Sequence, residues 1–256
     1  MNRCLCSLVG LFIWLSVVSC KKEKDNSVPG SQCKMTSAEV KNSSSWIVTN
    51  YIYTGDKITL EKRYNYDVKL TYTGDNITQR DYLLNSGYDK LFYNADGTIS
   101  NTESYFNNGT SSLLYRVSEF AYSSGKLVSQ IVKFDTSSNP PKPLVILAQY
   151  NYTYTGNNIT SCVFKDFIKD STFIFNYQYD NLSNIFSKRK TNLITDPLFS
   201  GFVGDLLPLR LSENNVIKLQ QYGQDNNLSY VLDDKQNLKE ILVNGVVFYR
   251  YTYQCQ

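Results

Sequence analysis

The sequence predicts an all-β protein, an antiparallel meander of about fourteen to sixteen strands curled into a barrel or wrapped on itself. Three observations carry that expectation. An aromatic pair, a turn and an aliphatic residue recur through the chain, aromatic and polar residues alternate strictly in the segments between, and no amphipathic helical run interrupts the body.

The recurring phrase comes first. Tyr51-Ile52-Tyr53 leads through TGDK to Ile58, Leu70-Thr71-Tyr72 through TGDN to Ile77, and Phe92-Tyr93 through NADGT to Ile99. Phe120-Ala121-Tyr122 leads through SSGK to Leu127, Tyr152-Thr153-Tyr154 through TGNN to Ile159, and Tyr177-Gln178-Tyr179 through DNLSN to Ile185. A fainter copy runs from Tyr230-Val231-Leu232 through DDKQN to Leu238. The aliphatic residue always follows the pair by five or six positions. A four-residue loop sets residues at that spacing opposite each other, so each Tyr and Ile are expected as a cross-strand pair at a hairpin neck. Gly, Asn and Asp supply the left-handed conformations of the turn.

Alternation supports the same strands. Phe173, Phe175, Tyr177 and Tyr179 interleave with Ile174, Asn176, Gln178 and Asp180, and Tyr249, Tyr251 and Tyr253 alternate similarly near the C-terminus. One aromatic and one largely polar face mark half-buried antiparallel strands. So many strands leave exposed edges unless the sheet closes. Two stretches break the pattern. The proline run 139–143 reads as a long hairpin connection. The irregular insert 193–211 (LITDPLFSGFVGDLLPLRL) is too interrupted for a strand and too proline-rich for a helix. Its two readings are a plug over an open end and a lip over a binding cavity, the lip built from Phe199, Phe202, Leu206 and Leu207.

Residues 1–19 read as a secretory signal, with Arg3 ahead of an apolar run too short to span a bilayer. The run ends in Val17-Val18-Ser19-Cys20, which resembles the lipobox of bacterial lipoproteins, where the cysteine is acylated and becomes the first residue. Residues 20–32 then form a flexible tether from lipidated Cys20, and residues 33–256 a single β-repeat domain. Lys21 argues against inner-membrane retention by analogy with lipoprotein sorting. The expected location is the outer membrane, on its periplasmic or cell-surface face. Once processing is applied, Cys33, Cys162 and Cys255 remain. In an oxidising compartment Cys33 and Cys255, at opposite ends of the domain, are expected to pair; three reduced thiols are the alternative. Cys162 reads as a small buried residue.

The Tyr-x-Tyr, turn, Ile phrase resembles the YD repeats of Rhs-type proteins. Taken with the lipobox, Asp196-Pro197 and the run Ser212-Glu213-Asn214-Asn215-Val216-Ile217, it is similar to a Bacteroidetes family of lipoproteins of unknown function with a porin-like fold. The resemblance implies a curled β-sheet of that kind. It does not imply a transmembrane pore, because the aromatic face reads as the packed one and the other carries Thr, Asn, Gln and Lys.

Composition limits the chemistry. With no histidine, Ser-His-Asp and Cys-His catalysis and histidine-ligated metal sites are excluded. No phosphate-binding glycine loop occurs, no cofactor or metal site is expected, and a net charge of +3 with scattered basic residues lacks the footprint of a nucleic-acid binder. Asp166, Asp170, Asp233 and Asp234 sit beside turns, where Asp is expected for conformational reasons. No catalytic residue is assigned.

The leading functional expectation is a non-enzymatic envelope lipoprotein, held to the membrane through its N-terminal lipid, that binds a glycan polymer or an envelope protein. The alternatives are a structural or assembly component of the outer membrane and a carboxylate-only hydrolase.

Overall fold

A computed structural model describes residues 33–84, 87–107, 109–135, 143–186 and 207–255. The expected signal peptide (1–19), Cys20, the expected tether and most of the proline run lie outside the described residues. The strands are β1 (Cys33–Asn42), β2 (Ser45–Thr54), β3 (Lys57–Arg63), β4 (Asp67–Thr73), β5 (Asn76–Tyr82) and β6 (Gly87–Tyr93). They continue as β7 (Ile99–Asn107), β8 (Ser112–Ser123), β9 (Lys126–Phe134), β10 (Val145–Thr155), β11 (Asn158–Asp166) and β12 (Ser171–Ser183). One helical turn, α1 (Pro208–Leu211), precedes β13 (Asn214–Gln221), β14 (Gln224–Leu232), β15 (Leu238–Val243) and β16 (Val246–Cys255). Each strand pairs with its successor and β16 returns to β1, so the sixteen-strand meander closes into a barrel.

The hairpin necks pair as the spacing predicts: Tyr53 with Ile58, Tyr72 with Ile77, Tyr93 with Ile99, Tyr122 with Leu127 and Tyr154 with Ile159. The turns are tighter than expected, because Thr54 also pairs with Lys57 and leaves only Gly55 and Asp56 between the strands. Gly55 takes φ 59 as the first central residue, the position a type II′ turn reserves for glycine. The phrase at Tyr179 is a correction. DNLSN makes no hairpin; β12 runs on to Ser183, and Tyr179 pairs with Val216 across the insert. Side chains hold that neck instead. The Asn184 amide donates to the carbonyls of Leu209 and Ser212 at 2.9 and 2.7 Å, and the Asn215 side-chain oxygen accepts from the Ile185 amide at 2.7 Å.

Directly after each neck's aliphatic residue lies a β-bulge, visible as the register shift that leaves Thr59, Thr78, Ser100, Val128, Thr160, Ile217 and Lys239 as extra residues. A bulge moves the following residues to the other face. The third residue after each aliphatic therefore points inward: Glu61, Arg80, Thr102, Gln130, Cys162, Leu219 and Ile241 are all buried. Four of these, on β3 to β9, are polar or charged, and three, on β11 to β15, are apolar or thiol. Strict alternation would have put Leu60 inside and Glu61 outside.

Successive hairpins are joined by a second device. The β3–β4 ladder stops at Leu60 and Lys69, short of the turns, and the Tyr72 hydroxyl donates to the Ile58 carbonyl at 2.8 Å across the gap. Tyr53 reaches the Met35 carbonyl at 2.9 Å, Tyr93 that of Ile77 at 2.8 Å and Tyr154 that of Leu127 at 2.9 Å. Tyr230 reaches Val216 at 2.6 Å, and Tyr179 reaches Ile159. Lysines add a link between turn tips: Lys34, Lys57 and Lys126 donate to the carbonyls of Gly55, Gly74 and Gly156 at 2.6, 2.5 and 2.6 Å. Each also lies over the ring of the next tyrosine, 5.3 to 5.6 Å from its centroid.

Val68, Ile77, Ile159, Cys162 and Val216, on strands spread round the barrel, are each 0% exposed. A round barrel of this strand number encloses a watery channel that would wet such residues. Here one continuous cluster of buried side chains fills the interior, so the walls close on each other. The first and last strands meet with Cys33 opposite Cys255, joined as a disulfide across a sequence separation of 222.

Three outcomes follow from the packing. Cys33→Ser with Cys255→Ser should lower unfolding free energy by about 5 kcal/mol on the loop-entropy estimate, read as a shift in the denaturant midpoint. Tyr72→Phe removes one inter-hairpin bond and leaves the Ile58 carbonyl in need of a partner, which should cost about 1 to 3 kcal/mol. Burial pushes the phenols of Tyr53, Tyr72 and Tyr154 up to about 12. The folded state therefore holds these protons more tightly than the unfolded chain. The stability they contribute is present below pH 10 and is lost as pH rises toward 12. Phenolate absorbance and loss of sheet circular dichroism should rise together in that window; phenolate formation well below it with the sheet intact would contradict the buried ladder.

Candidate functional site

The meander gives the barrel two unlike ends. Both Cys33 and Cys255, the turns after even-numbered strands and the insert lie at one, called here the termini end; the turns after odd-numbered strands form the distal end. Between them the outer face is polar. Lys62 and Lys69 are exposed on it. So are the ion pairs Lys133–Glu119 and Lys218–Asp225, both 2.6 Å, and Arg250–Glu240 at 3.6 Å. A spanning barrel needs an apolar band about 25 Å tall, and a Lys or Arg at mid-bilayer costs about 2–4 kcal/mol. Ile52, Phe92, Ile174 and Ile217 are also exposed on the outer face, and the charged pairs interrupt any continuous band of that kind.

At the termini end a cavity of about 490 Å³ lies between Tyr93, Tyr122, Tyr154, Lys126 and Arg210. α1 borders it. Leu207 and Leu209 are buried, 1% and 4% exposed. Of the expected lip, Phe199, Phe202 and Leu206 lie outside the described residues, as does Cys20, the expected lipidation site.

The distal end holds a cavity of about 570 Å³, lined by Tyr66, Tyr82, Phe106, Leu114, Tyr115 and Phe134 among others. Behind two of its lining residues, Tyr66 and Tyr82, runs a chain of charges on the inner face. Arg63 donates to one Glu61 carboxylate oxygen through two nitrogens, at 3.0 and 2.5 Å, and to the Tyr66 hydroxyl at 3.2 Å. The Tyr66 and Tyr82 rings meet edge to face at 5.8 Å. Tyr82 donates to Asp89 at 2.7 Å, and Arg80 stands 3.8 Å from the same oxygen. Glu61 is 0% and Arg80 1% exposed. Two cations face two anions, so the buried charge balances. Burial works against the Arg63 cation, but Glu61 and then Tyr66 outweigh it and hold the guanidinium above the usual arginine range. Burial, and then Asp89 against the opposing Arg80, keeps the Tyr82 phenol well above the ordinary tyrosine value.

These groups are set for structure. The resolved shifts move away from neutrality, the tyrosines upward and Asp96 and Asp233 downward, the latter two through hydrogen bonds from Thr98 and Asn237. The four aspartates considered from sequence do not converge. Asp166 caps the distal turn by accepting from the amides of Ile168 and Lys169, and Asp233 closes a loop at the other end through Lys235 and Asn237. Asp170 takes φ 48 in its turn. No group of three or more Cys, Asp or Glu side chains converges as a metal site among the described residues.

Sequence reading passed over Glu61, Arg63 and Arg80, which the bulges turn inward, and Asp89, which faces inward on β6 by plain alternation with Leu91 and Tyr93. It also passed over the distal rim, where Tyr64, Leu83, Leu84, Phe106 and Ile168 are 83%, 54%, 71%, 51% and 68% exposed.

The architecture has solved counterparts. The chain is similar to a porin-like protein from Bacteroides uniformis, with a TM-score of 0.52, 12% identity, and 88% of this chain and 98% of that one covered. It is likewise similar to a porin-like protein from Bacteroides vulgatus, with a TM-score of 0.52, 16% identity, and 86% and 97% covered. At such identity the likeness is one of fold. No family model matches the sequence, and no curated protein matches it.

The charge chain makes a clear prediction. Arg80→Met strands Asp89 in a buried site and should cost about 3–5 kcal/mol, while adding Asp89→Asn should recover most of that loss. Denaturant unfolding of the single and double variants measures both. Equal loss in the two would mean that the pair does not act as a unit.

Proposed function

We propose that the protein is a non-enzymatic, outer-membrane-associated envelope lipoprotein, tethered through acylated Cys20, that works as a binding module at its distal mouth for an extracellular polymer or partner protein. The observation that carries this reading is the polarity of the barrel. Charged ion pairs such as Lys133–Glu119 face outward and the aromatic repeat faces inward, which supports attachment through the N-terminal side. The chain enters the barrel at Cys33, and that end therefore faces the lipid. The distal cavity and its rim then face away from the bilayer. The porin-like neighbours support an envelope setting for the fold, while the outer face argues against a pore in this chain.

A second reading, a structural or assembly component of the outer membrane, draws support from the exposed apolar residues of the distal rim. The two differ in what the rim meets, a ligand or a fixed neighbour.

Cys20→Ser separates a tethered water-soluble barrel from a spanning one. The variant should leave the membrane fraction and remain folded in buffer without detergent, with the wild type still membrane-bound. Retention of the variant in the membrane fraction, or aggregation without detergent, would sink the proposal.

A further inference from the structure

We infer that the distal cavity takes a neutral apolar chain or ring, of the acyl or aryl class, and not a carbohydrate. The inference rests on the reading of the distal mouth as a binding surface and names the chemistry it accepts. Tyrosine-rich sites commonly offer both ring faces and hydroxyls to a ligand. Here the hydroxyls already have protein partners. Tyr66 accepts from Arg63 at 3.2 Å, Tyr82 donates to Asp89 at 2.7 Å, and Tyr105 donates to Glu103 at 2.5 Å. Tyr115 hydrogen-bonds Ser104. What remains for a ligand is mainly ring faces together with Phe106, Leu113, Leu114 and Phe134, the O–H of Tyr66 being the one phenol donor left over because that hydroxyl accepts from Arg63.

A sugar entering such a lining would surrender the water on its own hydroxyls and gain few bonds in return, at roughly 1–3 kcal/mol for each group left without a partner. An acyl chain or an aryl ring has no such groups to satisfy. The cavity volume, about 570 Å³, lies within the range of roughly 300–1,000 Å³ typical of small-molecule sites. The approach is matched to the interior, since Tyr64, Leu83, Leu84 and Phe106 stand exposed on the turns that surround the opening. The charges behind the lining are paired, Glu61 with Arg63 and Asp89 with Arg80, and Asp135 in the lining disfavours an anionic head group.

The test uses the full chain carrying Cys20→Ser, with the neutral probe N-phenyl-1-naphthylamine followed by fluorescence. Saturable binding at one site is expected, displaced by dodecanol and by monomeric octyl glucoside but not by glucose or maltohexaose. Leu114→Trp, which fills the cavity, should weaken the probe at least about tenfold. Phe106→Ser at the half-exposed rim gives a second reading should Leu114→Trp misfold, and should weaken it in the same direction. Tyr105→Phe keeps the ring, loses the hydroxyl, and should leave affinity unchanged within about twofold. Displacement by phosphatidylethanolamine vesicles as well as by dodecanol assigns the chain to a membrane lipid, and displacement by dodecanol alone to a free amphiphile. Absence of saturable binding, equal affinity in Leu114→Trp and Phe106→Ser, or displacement by maltohexaose overturns the inference. Capture of an envelope polymer by a protein that fails these tests would leave the binding-module reading standing and remove only the apolar ligand.

Discussion

The bond from a tyrosine hydroxyl to the carbonyl at the neighbouring hairpin's neck is the contact on which the rest of the barrel depends. Between hairpins the ladders end early, at Leu60 and Lys69 in β3–β4 and at Ser129 and Asn151 in β9–β10. The backbone beyond them would splay, with buried carbonyls unsatisfied. Tyr72 and Tyr154 close those gaps. A hairpin by itself is marginal in water, so a meander of hairpins needs a coupling that repeats with the same period as the hairpins. The phenol is long enough to span the splay and aromatic enough to fill the core beneath it. Neither Phe, with no donor, nor Ser, with no reach, does both. The lysines over the tyrosine rings reinforce the same joints from the solvent side.

The bulge beside each joint has a different consequence. By turning the third residue after each aliphatic inward, it writes a belt round the interior, and the belt is divided. Glu61, Arg80, Thr102 and Gln130 face Cys162, Leu219 and Ile241. A buried polar arc is weak ground for stability, since its desolvation offsets much of the charge attraction. Its effect here is local. It consumes the hydroxyls of Tyr66 and Tyr82 from below and so strips polar character from the cavity above. The chemistry of the distal mouth is decided one layer beneath it.

Most of the architecture was legible in the sequence, because the hairpin necks depend on local rules. Spacing fixed Tyr53 opposite Ile58 and Tyr154 opposite Ile159, and alternation separated the aromatic face from the polar one. What stayed hidden has physical reasons. DNLSN reads as a turn by composition, yet the fold uses Asp180 and Asn184 to pin an insert, Asp180 by accepting from the Asn215 side chain at 3.0 Å. Turn residues and side-chain pins share a vocabulary. The inward charges were hidden because a single extra residue inverts the faces, and nothing in TLEK or TQRD states which residue is the extra one. The distal rim was hidden because its members come from separate turns: Tyr64, Leu83 and Phe106 share one end only because β3 to β7 pair in order.

Closure also separates this barrel from a pore of the same strand count. A porin turns its apolar residues to lipid and its polar ones to a lumen; this chain does the reverse with the same period-two alternation. Inverting the faces removes the channel, because an apolar inner surface gains most by collapsing on itself, as the fully buried Val68, Ile77 and Val216 indicate. Collapse cannot be complete at the ends, where turns splay and side chains run out. Cavities therefore persist where the core stops, about 490 Å³ at the termini end and about 570 Å³ at the distal end. The termini end is bordered by α1. The distal end is not, and its apolar turns stand in water. An inverted barrel thus concentrates its unsatisfied apolar surface at its distal mouth, which, under the proposed N-terminal anchor, is where a ligand arriving from outside the membrane would first make contact.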